Sequence, residues 1–554
     1  MTRTAAVLDD ELRTTSSALA QRDPLQRRAT IATVRSLRHT VFMVVLAVIA
    51  LQIAFLFDTA NLAASVLALA GNVVGFGYAL RQTTLRRYPI SSLILLGYTF
   101  SYFTLPPLGQ LLGLHTIIHL LRYPVTDFVY AIAGLLALIC GHLLYSNMPL
   151  LGALRGTLRK QFYGRLGFYR VPRLSQLWLM GAVGCLAVVA ANGYAEQGHG
   201  IVQAVLNGLR PFVYMPYVTL LPTAWSQLRR MHRLNSLLLV FYSGALLILA
   251  MMVNSRAYLL MGFASLLIVY FYLLASGQMT LPNVRPRNVV LAVVVALVVT
   301  GPVTKLAMTM VLVRGERTDL TSAQLVDRTW ATFRSGHVAQ RYERVMAAMA
   351  GGPGVNENYF DNLFLNRLAN LKFVDNAVIN QQALRPSAAS YFSRIEWQKV
   401  ISILPSPLID LFGWDADKRL VTSGSSGDFL LYAANGNPNN IGDFHESSLL
   451  VNLRIVFGDL WPLALLLLSA LIFAIMDAWC LAGPATETGD WIVRFNPLVI
   501  GMMFSQAFFF TSAATGTDSI AGLMGVLMRE WIQVGLLYAV VFWASRIITG
   551  GSWR

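Results

Sequence analysis

Apolar runs of roughly 20 residues, separated by short basic segments, recur along most of this 554-residue chain. A helix of that length spans the hydrocarbon of a bilayer with every backbone N–H and C=O paired internally. Short alternating strands of the kind a membrane barrel needs are absent. The expected fold class is all-α: a polytopic integral membrane protein with about 12 transmembrane helices and one large extracytoplasmic loop.

Only 13% of the residues are charged, against about 25% in an ordinary soluble protein. The net charge of +16 would suit a nucleic-acid partner if it were spread over one face, but it is not. The segments expected on the cytoplasmic side carry 24 basic and 7 acidic residues, whereas residues 314–446 carry 13 and 14. The excess therefore lies on one side of the membrane, as the positive-inside rule requires, and favours anionic lipid head groups; no nucleic acid is implied. The three cysteines, Cys140, Cys185 and Cys480, lie in or beside apolar runs and form neither a disulfide framework nor a CxxC pair. Residues 1–38 hold seven arginines and no small-residue cleavage site, and read as a basic cytoplasmic tail.

Nine spans are expected in 39–313, at about 39–57, 60–80, 89–105, 125–145, 174–192, 203–224, 235–253, 257–275 and 288–313. Three more are expected within 448–554, in 448–480, 495–513 and 520–545. The sixth contains Pro211, Pro216 and Pro222, each of which removes a helix hydrogen bond, and is expected to be irregular. This arrangement alternates every basic loop to the inside and places both termini in the cytoplasm.

Residues 314–447 are the one long polar segment, too long for a simple connection. They are expected to face outward and to cap a cationic pocket. Thr321 and Ser322 start a helix running to about Ala350, stopped by Gly351-Gly352-Pro353-Gly354; a second helix covers about 388–404, ended by Pro405 and Pro407. Residues 422–444, rich in Gly, Ser and Asn, read as an adaptable polar loop. Residues 444–457 are amphipathic and either begin the tenth span or lie at the outer surface, with Gly458-Asp459 as a bend.

Five cations, Arg210, Arg256, Lys305, Arg454 and Arg529, fall in or beside spans near the outer side or the middle. A charge at the bilayer centre costs about 2.5–3.5 kcal/mol, so such groups line a pocket or pair with an acid. Asp58, Asp127, Asp459, Asp518 and Glu530 are the candidate counter-ions. Gathered on one cavity, the cations would hold a diphosphate, which arginine grips with a planar fork. In the loop, Arg334, His337, Arg341 and Arg344 are spaced 3, 4 and 3 apart, on one face of a continuous helix, with Arg314 at the loop's start. A solvated basic stripe is the plainer reading of the same spacing. His445 and Glu446, where the loop returns to the membrane, could take a proton from a sugar hydroxyl or simply cap a helix. No P-loop, HExxH or GxSxG motif occurs, and no His/Cys cluster suggests a metal.

Three stretches resemble the O-antigen and exopolysaccharide repeat-unit polymerases (Wzy type), relatives of the O-antigen ligases. They are Asn254-Ser255-Arg256-Ala257-Tyr258-Leu259-Leu260, Leu404-Pro405-Ser406-Pro407, and His445-Glu446 followed by Val456-Phe457-Gly458. Arg341 and Gly352 fit the family's Arg-ten-residues-Gly pattern, while the ligases' loop histidine motif is not clearly present. The resemblance covers about residues 200–480. It implies a GT-C-like, metal-independent glycosyltransferase in the bacterial inner membrane, needing no cofactor and acting on its outer face. Donor and acceptor would be undecaprenyl-pyrophosphate-linked glycans, with a chain-length regulator protein as candidate partner. Arg256, Glu446, His445 and His337 would be catalytic; Arg210, Lys305, Arg314, Arg334, Arg341 and Arg454 would hold pyrophosphate and substrate. An O-antigen ligase is the alternative within the same chemistry, and a lipid-linked oligosaccharide flippase the alternative outside it.

Overall fold

The computed structural model describes residues 24–193, 201–220, 233–255, 257–279, 298–316, 320–349, 354–360, 363–414, 416–484, 491–503 and 519–550, with 286, 290, 507, 508 and 510 as isolated positions. Arg256, Asp518 and parts of the expected ninth and eleventh spans, residues 291–297 and 511–513 among them, lie outside the described residues. What is described is almost entirely helical. Among the described residues, seven helical stretches are long and apolar enough to cross a membrane: Val34–Phe55, Thr59–Ala79, Pro124–Asn147, Leu174–Asn192, Leu234–Met252, Leu449–Trp479, which is bent at Gly458, and Ile520–Ile548.

Helices α1 (Pro24–Phe55) and α2 (Thr59–Ala79) form the first hairpin, with Asp58 capping α2 through the Ala60 N–H at 3.1 Å. Helix α3 (Pro89–Thr99) continues through a wide π turn at Phe100–Thr104 into α4 (Leu105–Leu112), so the third expected span is longer than its apolar run. A proline opens α3 and another opens α5 (Pro124–Asn147), where the missing N–H costs nothing. Helix α6 (Leu174–Gly193) faces the 3-10 helix Arg210–Leu220, which carries Pro216 inside it and meets the expectation of an irregular sixth span. Helices α7 (Arg233–Met252) and α8 (Ala257–Ala275) follow, then α9 (Thr304–Leu312).

The outer loop does not fold as expected. The single helix from 321 is broken: α10 (Ser322–Arg334) ends at Ser335, and α11 (Val338–Met349) begins after His337. Its start was legible, because Thr321 and Gln324 form a capping box. Helix α12 (Leu371–Ala383) was not foreseen. Its residues from Leu371 to Val378 are all buried, because it is wedged among other helices and does not lie over them. The Asn370 N–H donates to Ser101 O (3.2 Å), Lys372 Nζ to Leu120 O (2.5 Å), and the Tyr130 hydroxyl to Gln381 Oε1 (3.1 Å). Helix α13 (Pro386–Ile401) starts a residue pair earlier than expected, on another proline. The short α14 (Ser406–Leu411) follows. Helix α15 (Ser426–Asn435) occupies what had read as an adaptable polar loop.

The return to the membrane is a helical hairpin. Helix α16 (Leu449–Phe457) and α17 (Trp461–Met476) are separated by Gly458 at φ 58° and ψ −136°, a combination that glycine alone adopts readily. Trp461 packs on Tyr130 of α5 (5.7 Å), whereas Leu450 lies against Gly134, one turn further along α5. Both legs thus run from an apex near Tyr130 toward the middle of α5. At its far end, α17 hands over to Asp477. Its carboxylate accepts the Ile90 and Ser91 N–H groups (2.8 and 3.1 Å) and the Ser91 hydroxyl (2.7 Å), tying the start of α3. A two-stranded antiparallel ribbon, β1 (Cys480–Pro484) and β2 (Trp491–Phe495), was not expected; Cys480 pairs with Phe495 and Pro484 with Trp491. Helices α18 (Ile520–Gly525) and α19 (Trp531–Ile548), joined by another π turn, complete the bundle.

Candidate functional site

Where the outer loop returns to the helices, one buried carboxylate organises the backbone. Asp428 sits in the first turn of α15, with Ser425 as its capping-box partner. Its Oδ2 accepts the N–H groups of Ser425 (3.0 Å), Gly442 (3.1 Å) and Phe444 (3.0 Å). Its Oδ1 accepts the His445 N–H (2.8 Å) and His445 Nδ1 (3.0 Å). Residues 442–445 are thereby drawn over the start of α15 as a strap. Gly427 permits the approach: a Cβ there would stand 2.3 Å from His445 O.

The electrostatics follow from that geometry. Burial opposes ionisation of Asp428, but the His445 ring and the N–H groups of His445, Ser425 and Gly442 outweigh it and hold the pKa at about 2. The hydrogen bond to Asp428 raises the His445 pKa against the effect of burial, helped by Glu357, Asp428 and Asp443. Nδ1 is committed to Asp428, and Nε2 has no partner among the described residues. This is an oriented imidazole, with one nitrogen fixed by a carboxylate and the other available for proton transfer. Two further carboxylates, Glu357 and Asp443, act on it. The Glu446 N–H donates to Glu357 Oε1 (2.7 Å), and Glu357 is among the charges felt by His445. Behind the strap, the Ser426 hydroxyl donates to buried Glu396 (2.5 Å), and Lys399 Nζ donates to Gly424 O (3.0 Å) while lying over Phe429.

The expected cations do not all share a hollow. Lys305 Nζ stands 4.8 Å over Phe333, Phe333 stacks on Trp330 at 5.5 Å, and Arg334 lies 4.9 Å from the Trp330 ring. Lys305 and Arg334 are therefore joined through one aromatic stack. Met251, at the end of α7, packs with Leu306, Met310 and Phe333, so this stack adjoins the turn that leads to Arg256. Arg210 interacts with the Tyr258 hydroxyl at the start of α8. Arg454 is matched to Asp459 across the hairpin apex and is withdrawn from any shared anion site. Arg341 feels Glu316, which is already held by Arg328 at 2.8 Å, and Arg314 is exposed. His337 is exposed too, its carbonyl accepting the Arg341 N–H (3.0 Å) in the first turn of α11. The break at Ser335 separates Arg334 from Arg341 and Arg344, so the expected single stripe does not form.

The counter-ions divide similarly. Asp459 pairs with Arg454, Asp58 is a helix cap, and Glu530 is influenced by its neighbour Arg529. Asp127 is fully buried in the first turn of α5, facing Asp375 and Lys372 of α12, and neither of its oxygens has a donor among the described residues. Lys372 Nζ reaches Asp375 Oδ2 at 2.9 Å, while Asp375 Oδ1 accepts the Arg122 and Tyr123 N–H groups (2.7 and 2.9 Å). Sequence reasoning named His445 and Glu446 but missed Asp428 and Glu357. The Ser425-x-x-Asp428 capping spacing was the available signal for the first; nothing local marks the second. Among the described residues, no group of three or more His, Cys, Asp or Glu is placed to hold a metal ion.

No family model, no curated protein and no solved structure matches the chain.

Proposed function

We propose that this protein is a membrane glycosyltransferase. On this reading it joins lipid-pyrophosphate-linked oligosaccharide units into a surface polysaccharide on the outer face of a bacterial inner membrane, with twelve spans and both termini inside. The observation that carries the reading is the Asp428–His445 dyad, held at the point where the long outer loop meets the spanning helices. Neutral His445 would take the proton of the acceptor hydroxyl at Nε2. Asp428 would keep Nδ1 protonated and stabilise the imidazolium that forms. Lys305, Arg334 and Arg210 would face the diphosphate leaving group from the α8–α9 side, with Arg256 completing that set. Glu357, whose charge acts on the imidazole, and Glu446, the next residue in the chain, would be the alternative bases.

The test uses purified protein in liposomes with a lipid-linked repeat unit as the sole substrate. Wild type is expected to give a ladder of longer products, and His445→Ala to leave single units, with at least a hundredfold loss of rate for an essential base. A normal ladder from His445→Ala would remove the dyad from the mechanism. Wild type that never extends the units, but moves them to a separate acceptor lipid, would make it a ligase. Movement of units across the bilayer without any new glycosidic bond would make it a flippase.

A further inference from the structure

One corner of the outer loop presents large apolar side chains to the surroundings. Helix α14 and the three residues after it expose Leu408 (40%), Leu411 (75%), Phe412 (58%) and Trp414 (46%). The Phe412 and Trp414 rings stack at 4.9 Å, brought together by Gly413 at φ 62°. The knob is well tied. Trp414 N–H donates to Ile409 O (3.1 Å), Ile409 is buried, and Lys418 Nζ holds Leu404 O at 2.7 Å. An apolar cluster this large, exposed among the described residues, marks a contact with something outside the described fold.

Its place in the molecule says what that something is. The knob hangs from the end of α13, which packs against both α16 and α18, the outer ends of two spans. Trp397, one turn before α13 ends, is itself 45% exposed and lies 5.9 Å from Phe457 at the hairpin apex. From that apex an exposed stripe, Leu460, Leu463, Leu467 and Leu471, descends α17 at helical spacing, the pattern of a lipid-facing surface. Trp397 and the stripe meet at the hairpin apex, and the knob follows Trp397 in the chain at the end of the same helix. Leucine, phenylalanine and tryptophan are the side chains that settle at the boundary between head groups and acyl chains. Basic Lys418 and Arg419 are offset by Asp410 and Asp417, so attraction to anionic head groups is not what would hold it.

We propose that residues 406–414 insert into the outer leaflet of the bilayer and anchor the long loop beside the returning hairpin. The partner is the lipid itself, at the head-group boundary, and the contact is insensitive to lipid charge. The anchor does not depend on the glycosyltransferase reading.

The experiment places an environment-sensitive NBD fluorophore on Leu411→Cys in full-length protein, with Cys140 and Cys185 replaced by alanine. The protein is reconstituted into phosphatidylcholine vesicles, with or without phosphatidylglycerol. The expected result is a blue-shifted emission, quenched at least twofold more by a nitroxide at lipid carbon 5 than at carbon 12, and equal in both vesicle types. Iodide in the water should quench it at least fivefold less than the same label on Asn439→Cys, an exposed position of the same loop. Iodide quenching equal to that of Asn439→Cys, with no effect of nitroxide lipids, would overturn the proposal. So would disulfide-linked dimers of unlabelled Leu411→Cys at high lipid-to-protein ratio, which would give the knob to a second copy. Phe412→Cys provides a second reporter, with the same outcomes, if Leu411→Cys labels poorly.

Discussion

Asp428 takes five donated hydrogen bonds on two oxygens, and His445 supplies two of them. Its lowered pKa means its contribution to stability is fully present above the ordinary carboxylate range and fades as pH falls toward about 2. The raised His445 pKa works in the other direction: that contribution is present below about 6.5 and is lost as pH rises through the raised value. The strap is therefore tightest in weak acid. Transfer activity needs the neutral ring, so it should rise with pH through the raised His445 value. Asp428→Asn lowers that value; the rise in the pH–rate profile should move to lower pH and the maximal rate should fall. An unmoved profile would show that His445 does not titrate in the reaction. A second residue-scale prediction concerns the two carboxylates and one ammonium of Asp127, Asp375 and Lys372. Asp127→Asn replaces a buried carboxyl that faces the Asp375 carboxylate and whose oxygens accept no donor among the described residues, and should raise the melting temperature in detergent. Lys372→Met leaves Asp375 without its cation and should cost about 3–5 kcal/mol.

The element that decides the site is the α16–α17 hairpin. As one continuous helix, 449–476 would carry His445 far from α5. The bend at Gly458 sends α16 back along α5 instead and sets Leu450 against Gly134. Gly458→Ala keeps the polarity and nearly the volume but meets a backbone region closed to a Cβ. It should cost about 1–3 kcal/mol, seen as a lower melting temperature together with faster proteolysis at the 442–445 strap. Gly134→Ala is the complementary wedge, because its Cβ would stand 2.3 Å from the Tyr98 hydroxyl and 2.8 Å from Leu450.

At the scale of the whole molecule, the long segment between α9 and α16 is built into the bundle. Helix α12 is buried, and it and the preceding Asn370 bond to Ser101 in the π turn after α3 and to Leu120, Arg122 and Tyr123 in the connection before α5. Trypsin added to right-side-out vesicles should therefore cut after exposed Arg341 well before it cuts after buried Lys372. Equal cleavage at the two would mean that the loop covers the helices as a loose flap.

The sequence by itself determined the membrane-spanning, all-helical character, because runs of that length and hydropathy leave the backbone no other way to satisfy its hydrogen bonds. It also showed the start of α10 and the irregular stretch at Pro216, since caps and prolines are local signals. Only the tertiary structure decided which charges meet. The spacing of Arg334, His337, Arg341 and Arg344 promised one stripe, but the turn at Ser335 divides it, and Arg454 spends its charge on Asp459. Asp428 is 17 residues from His445 and Glu357 is 89 from Glu446, separations at which no local propensity operates. They meet because helices already buried for hydrophobic reasons bring those backbone segments together, and the carboxylates then satisfy the N–H groups left without partners.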